Sequence, residues 1–482
     1  MKTEIPTLST WIHNTPEASH IALGEFLHDP STGDRLQENR SSSADQADRA
    51  IASAWAAHDS REWQLLGIEG RAALMMRLAQ LIDEKQHEIA SLDSLNSGVT
   101  LRETTLFASS LGGTIRSAVE LARSQGDSTM LAAQQGPVVL RRIPWGPTAL
   151  IVPWNAPSAV AVKKMAYALI AGATVVLKPS PSAPWSSQII ASAVAETRIP
   201  DGVFSLLLGG GEVGHQICSD QRIRAISMTG STATGRRIAQ ASAQHLTHLR
   251  LELGSNNPAL VLADADIAGA VDSLVAGMTK LNGQWCEAPR RVFAHQSIYT
   301  DLLHELTDRL KNLRVGSSFD DETQVGPMAF RQRREDLKAQ RDSLVAGGCV
   351  AEFSSSIPAA GWFFAPSVVS GSSVPLPGEV FGPMIAVESY TSLDSALSLA
   401  NRGPHGLAGY VFSRAVDRAI EVGGRIEGGE IKINGTSVLD MAPQSAQSFF
   451  GDSGLGGHGD VDVLDFYSGK QVVGLDLPGA PI

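Results

Sequence analysis

Two side chains that can do covalent chemistry lie next to segments with regular apolar patterns. Glu252 closes an apolar strand in the segment 251–258, and Cys286 follows an amphipathic helical stretch. A thiol attacks well only as its thiolate, and a carboxylate acts as a base only where the fold brings it to the substrate or its water. The pair therefore suggests a thiol nucleophile and its carboxylate base.

The three cysteines, Cys218, Cys286 and Cys349, lie far apart in the chain. They form no CxxC pair and no Cys/His spacing that would suggest zinc, and they do not suggest disulfides. Buried structural thiols are common, so a cysteine without context indicates little. No metal site is predicted, and any cysteine used for chemistry acts singly.

Length and composition indicate a soluble α/β enzyme with two large domains or more. The chain has 482 residues, of which 43% are apolar and 18% charged. Its net charge of -11 is spread without a basic block, which argues against nucleic acid or an anionic membrane as a partner. The N-terminal residues lack the apolar core of a signal peptide, and no run of about 18 uncharged apolar residues occurs. A cytoplasmic location is expected.

The first 125 residues are predicted to be mainly helical. Apolar residues recur at three- and four-residue steps over 44–59 and 70–92, and a third helix is predicted over 102–124. The segment 136–147 is β-rich, with alternating polar positions and prolines that suit an edge strand or ribbon. Such a segment could pair with another subunit.

From residue 148 onward, strands and helices alternate, which predicts a parallel sheet wrapped by helices. The predicted strands are 148–153, 174–177, 203–208, 225–228 and 249–253, with helices ending at 170, spanning 183–197, lying near 213 and spanning 233–244. A second alternating half runs from 258–262 to about 440, with helices near 267–281, 297–312, 329–346, 392–401 and 415–426. The tail is predicted to be β-like over 461–467 and 470–475.

Two loops at predicted strand ends carry polar side chains, where a doubly wound sheet binds its ligand. Asn155 lies between Pro153 and Pro157, where its amide could donate to a developing oxyanion or could cap a turn or helix. Lys178 ends an apolar strand before Pro179, where an ammonium could bind ribose hydroxyls or phosphate, or could simply be solvated.

A third loop, 228–235, joins a strand to a helix and gathers backbone N–H groups and hydroxyls at the helix N-terminus. This is a natural pyrophosphate cradle, although a capped helix without a ligand would have the same sequence. Neither this loop nor the glycine-rich segment 209–214 has the G-x-G-x-x-G spacing.

Taken together and in order, the motifs of this chain resemble those of the NAD(P)-dependent aldehyde dehydrogenase superfamily over nearly the whole length. One such tripeptide means little, whereas the ordered set is highly specific. The motifs are Pro153-Trp154-Asn155, Lys178-Pro179-Ser180, Gly230-Ser231-Thr232 with Gly235, Glu252-Leu253-Gly254, Gly283-Gln284 with Cys286, and Glu379-Val380-Phe381-Gly382-Pro383.

The resemblance implies roles for individual residues. Cys286 would be the nucleophile, Glu252 the general base and Asn155 the oxyanion donor. NAD or NADP would be the cofactor, with Lys178 at the adenosine ribose, Ser231 at the pyrophosphate, Glu379 at the nicotinamide ribose, and Trp154 and Phe381 bordering the cleft. The full set of predicted cofactor-binding residues is Ile151, Pro153, Trp154, Lys178, Gly210, Gly214, Gly230, Ser231, Gly235, Glu379 and Phe381.

The implied reaction oxidises an aldehyde to the carboxylic acid. The Cys286 thiolate adds to the carbonyl, hydride passes to the nicotinamide, and Glu252 activates the water that hydrolyses the resulting thioester. One alternative is a CoA-acylating dehydrogenase, although such relatives usually lack the base that Glu252 supplies. A second alternative is a cofactor-binding paralogue without turnover, against which Asn155, Glu252 and Cys286 together argue.

Three positions depart from the pattern that the resemblance implies. Pro181 stands where many NAD-preferring relatives carry an acid, which leaves NAD against NADP open. Ser255 replaces a glycine after Gly254 and adds a Cβ, which we expect to be tolerated. Glu287 would raise the thiol pKa if it faced Cys286.

Alternatively, the Glu287 carboxylate could turn away from the pocket toward Arg290 or Arg291. The segment 449–456 resembles the late glycine-rich loop of the family but lacks its usual lysine. No arginine pair identifies a semialdehyde substrate, so the aldehyde itself is not predicted.

The fold expected from the resemblance is α/β, of the aldehyde dehydrogenase type, with two doubly wound α/β domains and a small β oligomerisation ribbon. The cofactor-binding domain is predicted over 1–126 and 148–253, and the catalytic domain over 254–447. The ribbon is predicted over 127–147 and 460–482, and it would join subunits into a homodimer or homotetramer.

Overall fold

The computed structural model describes residues 3–19, 21–132, 136–353, 356–437, 441–442 and 445–475. Residues 133–135 and 476–482 of the predicted ribbon, and 354–355, 438–440 and 443–444 of the predicted catalytic domain, lie outside this described part.

The helices are α1 (Ala44–Ser60), α2 (Glu62–Leu65), α3 (Gly67–Glu84), α4 (Gln86–Ser97), α5 (Leu101–Gln125), α6 (Pro157–Ile170), α7 (Trp185–Glu196), α8 (Gly211–Cys218), α9 (Thr232–Ser242), α10 (Ile267–Thr279), α11 (Tyr299–Lys311), α12 (Arg331–Ala346), α13 (Leu393–Ala400), α14 (Val416–Gly423) and α15 (Asp460–Phe466), with short 3-10 turns at Ala243–His245 and Lys280–Gly283.

The strands are β1 (Ser9–Ile12), β2 (Thr15–Ala18), β3 (Ile21–His28), β4 (Arg35–Ser41), β5 (Ser128–Leu131), β6 (Val138–Pro144), β7 (Thr148–Ile151), β8 (Val175–Lys178), β9 (Phe204–Leu206), β10 (Ala225–Thr229), β11 (His248–Glu252), β12 (Asn257–Val261), β13 (Pro289–His295), β14 (Val350–Phe353), β15 (Ser367–Ser370), β16 (Met384–Tyr390), β17 (His405–Gly406), β18 (Ala408–Phe412), β19 (Glu430–Ile433), β20 (Gln447–Ser448), β21 (Phe450–Gly451), β22 (Gly454–Leu455), β23 (Gly457–His458) and β24 (Ser468–Gly474).

The first large sheet has the strand order β2-β1-β9-β8-β7-β10-β11-β22. Its central strands, from β9 to β11, are parallel, as the alternation of strands and helices predicts. Buried apolar side chains from α3 to α7 cover one face, and those from α1, α8 and α9 cover the other. Both faces of these strands are therefore buried, which explains their continuous apolar sequences.

The second large sheet has the order β14-β15-β16-β13-β12-β18-β19, and all its pairs are parallel except that of the edge strand β14. Helices α10 and α11 pack on one face and α13 and α14 on the other. The chain thus forms two doubly wound units, and Glu252 lies at the end of the last parallel strand of the first.

The structure corrects the sequence prediction in the N-terminal third. Four strands that the sequence prediction did not name, β1 to β4, precede α1, while helices α1 to α5 make the first 125 residues mainly helical, as predicted. The predicted helix 70–92 is two helices, because the backbone leaves helical geometry at Lys85, with φ -99° and ψ 5°. No glycine or proline marks this turn, so the apolar spacing alone does not show it.

The ribbon agrees with its prediction only in part. Strand β6 is the middle strand of a three-stranded antiparallel ribbon between β24 and β5, so of the two predicted alternatives for this segment, edge strand or ribbon, the structure has the ribbon. The segment 461–467, predicted to be β-like, lies largely in helix α15. Val463, Leu464 and Tyr467 are buried at helical spacing against the core of the first unit, so tertiary packing overrides the β-branched composition.

In the described part of the chain, no helix combines the length and apolar composition that a bilayer crossing would require.

Candidate active site

The thiol of Cys286 lies next to the carboxylate of Glu252. Its Sγ donates to Glu252 Oε1 at 3.1 Å, and Thr229 Oγ1 donates to the other oxygen, Oε2, at 3.0 Å. Glu252 ends β11 and Thr229 ends the neighbouring parallel strand β10, where the two residues are directly paired. Both oxygens of the carboxylate are therefore held in place at the carboxyl edge of the sheet.

The turn before Cys286 is conformationally unusual. After α10, Leu281, Asn282 and Gly283 all adopt left-handed backbone angles, with φ of 50°, 57° and 74°. A Cβ on Gly283 would lie 2.3 Å from the carbonyl carbon of Gly382, so only glycine fits this close approach. Left-handed non-glycine residues cost energy and persist only where their surroundings hold them.

Side-chain amides hold this turn in place. Asn282 Nδ2 donates to the carbonyls of Gly98 and Pro327 at 2.7 and 2.9 Å, while its Oδ1 accepts from the Gly326 N–H. Beyond the thiol, Asn257 Nδ2 donates to the Cys286 carbonyl at 2.9 Å. The nucleophile is therefore carried by a segment that is fixed on both sides, which favours a defined attack geometry.

The charges around the thiol determine its protonation state. Burial, together with the Glu252 and Glu287 carboxylates, raises the pKa of Cys286 well above its ordinary value. Burial also acts to raise the pKa of Glu252, but His458 and Lys164 outweigh it, and the pKa of Glu252 lies below its ordinary value. The cofactor-free site therefore holds a neutral thiol beside an ionised carboxylate, which is the pairing needed for proton transfer from sulfur to oxygen.

This protonation state predicts how the thiol reacts with alkylating reagents. A group with a raised pKa stays protonated until higher pH, so alkylation of Cys286 by iodoacetamide in cofactor-free protein should be slow at pH 7. The rate should still be rising at about pH 9, above the ordinary thiol pKa of roughly 8.5. Mass spectrometry of the Cys286 peptide against pH measures this, since Cys218 and Cys349 are buried. A plateau reached below about pH 8 would show a resting thiolate instead.

Glu287 faces the thiol region, and its pairing with Arg290 or Arg291 is not found. Arg290 donates to the backbone carbonyls of Gly283 and Gly382, and Arg291 donates to that of Asn256 and to the end of α13. The Glu287 carboxylate instead lies 3.9 Å from His458 Nε2. Burial raises the pKa of Glu287.

Asn155 is placed next to the segment that carries the thiol. Its Nδ2 donates to the Gln284 carbonyl at 2.8 Å, two residues before Cys286. The neighbouring Trp154 makes edge contacts with the rings of Phe330 and Phe381, at centroid distances of 5.2 and 5.4 Å. The predicted oxyanion donor and two predicted cleft residues thus lie in one cluster, whereas Asn155 makes no hydrogen bond to the described Glu252 side chain.

Several predicted cofactor residues lie at the ends of β7 and β8 and the start of α8. Ile151 ends β7, with Pro153 following, and Lys178 ends β8. Lys178 is buried, and its Nζ donates to the Pro179 carbonyl at 3.1 Å. Gly210 precedes α8, and a Cβ on Gly214 would lie 3.6 Å from Lys178 Cε, so the α8 turn stays close to the lysine stem.

Burial lowers the pKa of Lys178 to about 8, although the nearby Cys218 thiol opposes this shift. An ammonium has three N–H donors, and among the described residues one hydrogen bond of this lysine is to Pro179. Donors therefore remain for the hydroxyls or phosphate of a ligand.

The predicted pyrophosphate loop caps helix α9. Ser231 is the N-cap, and its Oγ accepts from the Thr234 N–H at 3.3 Å. The Gly230 N–H donates to the Glu252 carbonyl, which ties this loop to the base-bearing strand. A Cβ on Gly235 would lie 2.6 Å from a methyl carbon of Leu253, so this glycine allows the helix to pack on the strand end. The hydroxyl of Ser231 thus already has a capping role.

Glu379 lies close to the chain that follows Glu252. Its Oε1 accepts from the Ser255 N–H at 3.0 Å, and a Cβ on Gly254 would lie 2.4 Å from its Oε2. Ser255 is buried and keeps ordinary backbone angles, so its Cβ is accommodated as expected. A side chain at Gly254, which the motif retains, would displace the Glu379 carboxylate from this position.

Residues that sequence reasoning missed complete the surroundings of Glu252. Thr229 donates a hydrogen bond to one carboxylate oxygen of Glu252, and His458 Nε2 lies 3.5 Å from the other. Lys164 is buried nearby, and its Nζ donates to Ser227 Oγ at 2.8 Å. The loop 449–456 gave a partial signal, because it continues directly into His458. Thr229 lies in the segment 228–235, whose sequence predicts a pyrophosphate loop and not a partner of Glu252. Lys164 carried no signal, since it is an ordinary polar residue within a helix.

Comparison with known proteins shows which family this chain resembles. A model described as the aldehyde dehydrogenase family matches residues 25–473. The chain is 31% identical over 485 residues to the betaine aldehyde dehydrogenase of Rhizobium etli, covering 95% of this chain and 97% of that protein. It is 31% identical over 464 residues to the hydroxyisobutyraldehyde dehydrogenase of Mycolicibacterium austroafricanum, covering 94% and 90% of the two chains.

Among solved structures, the NAD+ complex of the betaine aldehyde dehydrogenase of Staphylococcus aureus matches with a TM-score of 0.91 at 27% identity, covering 97% of this chain and 95% of that chain. The range matched by the family model, residues 25–473, includes both Cys286 and Glu252. The chain therefore belongs to the aldehyde dehydrogenase family, and it is an NAD(P)-dependent enzyme that oxidises aldehydes.

Proposed function

We propose that this enzyme oxidises its aldehyde through a covalent adduct on Cys286 that is released by hydrolysis, with Glu252 as the base. The observation that carries the proposal is the 3.1 Å contact between Cys286 Sγ and Glu252 Oε1. A neutral thiol beside an ionised, oriented carboxylate can transfer its proton when a carbonyl carbon comes within reach.

In the proposed reaction, Glu252 takes the Cys286 proton while the sulfur bonds to the aldehyde carbon. The Asn155 amide and the Cys286 backbone N–H stabilise the oxygen as it becomes anionic. A bound nicotinamide supplies the oxidation by accepting hydride from the adduct carbon. Glu252 releases the thiol proton to solvent and then removes a proton from water as the water attacks the thioester. That second proton passes to the departing sulfur, so the acid and the free thiol are released. Aldehyde, water and oxidised cofactor become acid, reduced cofactor and one proton.

The residues at the sheet edge fit a dinucleotide. Lys178 has N–H donors to offer, Ser231 opens helix α9, and Glu379 supplies a carboxylate beside the aromatic group of Trp154 and Phe381. We propose that Ile151, Pro153, Gly210, Gly214, Gly230 and Gly235 line the same site. Pro181 places no acid near Lys178, so measurements with both cofactors decide between NAD and NADP.

We propose that the substrate is an aldehyde that fits a site with two carboxylates, Glu252, which is buried, and Glu287, whose side chain is 13% exposed. The relatives carry names with different aldehydes, betaine aldehyde and hydroxyisobutyraldehyde. A cationic aldehyde would complement Glu287, although His458 already lies beside that carboxylate. A panel with cationic, neutral and anionic aldehydes therefore tests charge selection directly.

The experiment that tests the function follows the absorbance of the reduced nicotinamide with this panel and each cofactor, with and without CoA. Turnover without CoA, accompanied by carboxylic acid, supports the proposal. Turnover that requires CoA would assign the acyl-transferring reaction, and cofactor binding without an acyl-enzyme would indicate a protein that does not turn over.

We further propose that residues 1–126 and 148–253, which supply seven of the eight strands of the first large sheet, bind the cofactor, and that 254–447 forms the catalytic unit. The three-stranded ribbon carries exposed apolar side chains at Met130, Val472 and Val473, which are 63%, 63% and 48% exposed. Its outer strands β5 and β24 are edges. Exposed apolar edges are a liability unless a partner covers them, so we propose a homodimer or homotetramer joined through the ribbon.

The oligomer proposal predicts a light-scattering mass that is a multiple of the chain mass. A charge on the ribbon, Val472→Asp, should shift that mass toward the monomer. Ile420→Asp, at a site that is 57% exposed on α14, a helix that packs on β18 and β19 of the second sheet, should not. A monomer at micromolar concentration for the unaltered chain would contradict the proposal.

A further inference from the structure

His458 lies beside the catalytic carboxylate and has no role in the reaction proposed above. Its Nε2 lies 3.5 Å from Glu252 Oε1 and 3.9 Å from Glu287 Oε1, so the ring stands between two carboxylates. Its side chain is only 19% exposed, and its ring packs edge-on against Phe449 at a centroid distance of 4.9 Å. The imidazole is therefore fixed beside the oxygen that also accepts from Cys286.

The fold delivers this histidine through the glycine-rich loop. Strand β22 pairs antiparallel with β11, placing Gly454 opposite Glu252. A Cβ on Gly454 would lie 1.8 Å from the Leu251 carbonyl oxygen, so glycine is required for this pairing. The loop then returns through β23, which pairs with β20 and ends at His458. The strand that carries the base and the loop that carries the histidine are thus locked together.

The other ring nitrogen identifies the tautomer. Nδ1 lies 3.4 Å from Arg250 Nη2, and a guanidinium can only donate. Nδ1 must then accept, so the neutral ring carries its proton on Nε2, the nitrogen that faces Glu252 and Glu287. Arg250 is itself held by a hydrogen bond from Nε to the Gly457 carbonyl at 2.8 Å. The ring therefore presents an N–H donor to the two carboxylates.

We propose that His458 is a positioning residue for Glu252, which keeps the general-base carboxylate ionised and oriented beside a second carboxylate during thioester hydrolysis. This inference rests on the proposed function, because it assigns a role within the hydrolytic half of that reaction. Two buried carboxylates oppose each other's ionisation, and a donor placed between them relieves that repulsion. Glu252 is useful as a base only while it is ionised.

Removal of the imidazole should therefore act on the pH dependence of hydrolysis. Without the donor, Glu252 needs a higher pH to ionise, so the acid limb of the hydrolysis rate moves upward. The charged and titratable groups on all neighbouring elements also influence the ionisation of Glu252 and Glu287. They are Arg250 and Glu252 on β11, Cys286 and Glu287 in the thiol segment, Lys164 on α6, Glu430 and Lys432 on β19, and the Lys163–Asp460 pair between α6 and α15.

The experiment measures decay of the acyl-enzyme by rapid quench as a function of pH, separately from the burst of reduced cofactor that reports acylation. For His458→Leu we expect a burst near full amplitude and an acid limb displaced upward by roughly one pH unit, so that acyl-enzyme decay at a pH on that limb is about tenfold slower. His458→Gln, whose amide offers an N–H donor, should restore most of the rate. His304→Leu, at an exposed helical site, is the matched control and should behave as the unaltered enzyme.

A double variant separates the electrostatic role from a packing role. If the second carboxylate is the reason that His458 is needed, Glu287→Gln combined with His458→Leu should move the acid limb back toward its original position. Unaltered decay rate and acid limb in His458→Leu would overturn the proposal. A parallel loss of burst, melting temperature and decay in both His458→Leu and His458→Gln would overturn it too, since it would show a structural role. Absence of a burst in the unaltered enzyme would instead contradict the covalent reaction itself.

Discussion

Replacing Cys286 with alanine is expected to reduce aldehyde oxidation at least about a thousandfold, while cofactor binding stays intact. The reason is that Sγ is the atom that bonds to the aldehyde carbon in the proposed reaction, and no other described thiol lies near Glu252. The Cys286 side chain is small, the Asn257 amide holds its backbone carbonyl, and the Asn282 amide fixes the preceding turn, so the loop should keep its conformation. Steady-state production of reduced nicotinamide measures the loss, and cofactor titration by fluorescence measures binding.

The matched control is Cys349→Ala, which removes a buried thiol at the start of β14, far along the chain from the site. It should retain the activity of the unaltered enzyme. Mass spectrometry after rapid quench adds a second readout, because only the unaltered enzyme should carry an acyl group on the Cys286 peptide. Substantial oxidation by Cys286→Ala would contradict covalent catalysis at this residue.

The family and the α/β fold were predictable from the sequence, because the motifs occupy strand ends in a fixed order, and both predictions are confirmed. The parallel strands were predictable for a physical reason: strands buried on both faces are short continuous apolar runs such as Val175–Lys178. Helix α15 was not predictable by the same reasoning. Its residues Val461 and Val463 favour a strand locally, and packing on the first core decides the outcome.

The candidate site was predictable where a motif carries the chemistry, and less so where tertiary contacts do. Cys286, Glu252 and Asn155 were named from motifs, and the structure brings the first two into contact and places the third beside the thiol segment. The sequence left two orientations of the Glu287 side chain open, because its orientation depends on which groups Arg290 and Arg291 bind in the folded chain. His458 was missed because its approach to Glu252 depends on an antiparallel pairing between segments about two hundred residues apart.

The charges in the site determine which of the two catalytic side chains holds the proton before the reaction starts. In the resting site, Glu252 is the stronger acid and Cys286 the weaker, since burial and two carboxylates hold the thiol protonated. Thiolate formation therefore depends on proton transfer at the moment of attack, and Glu252 must release that proton before it can act on water. The same carboxylate serves both halves, so the groups that control its ionisation bear most directly on hydrolysis.

Replacing Glu252 with glutamine is expected to slow steady-state turnover about a hundredfold or more, while a burst of roughly one reduced cofactor per active site remains. Glutamine keeps the shape of the side chain and its contact with Thr229, but it cannot accept a proton from water. The loss of a negative charge also lowers the pKa of Cys286, because Glu252 is one of the groups that raise it, so thiolate formation becomes less dependent on a base. The acyl-enzyme should then accumulate, and rapid-quench mass spectrometry of the Cys286 peptide should detect it.

Chemical rescue distinguishes a lost base from a damaged site. Hydroxylamine is a stronger nucleophile than water and needs less help from a base, so it should release the acyl group from Glu252→Gln as a hydroxamate and restore much of the turnover. Glu427→Gln, on an exposed loop of the second unit, is the matched carboxylate control and should show ordinary turnover without rescue. If Glu252→Gln shows neither a burst nor rescue, the main role of Glu252 lies in forming the thiolate, because acylation would then be the step that fails. If its turnover is unchanged, another group must activate water, and the 3.1 Å contact with Cys286 would reflect packing alone.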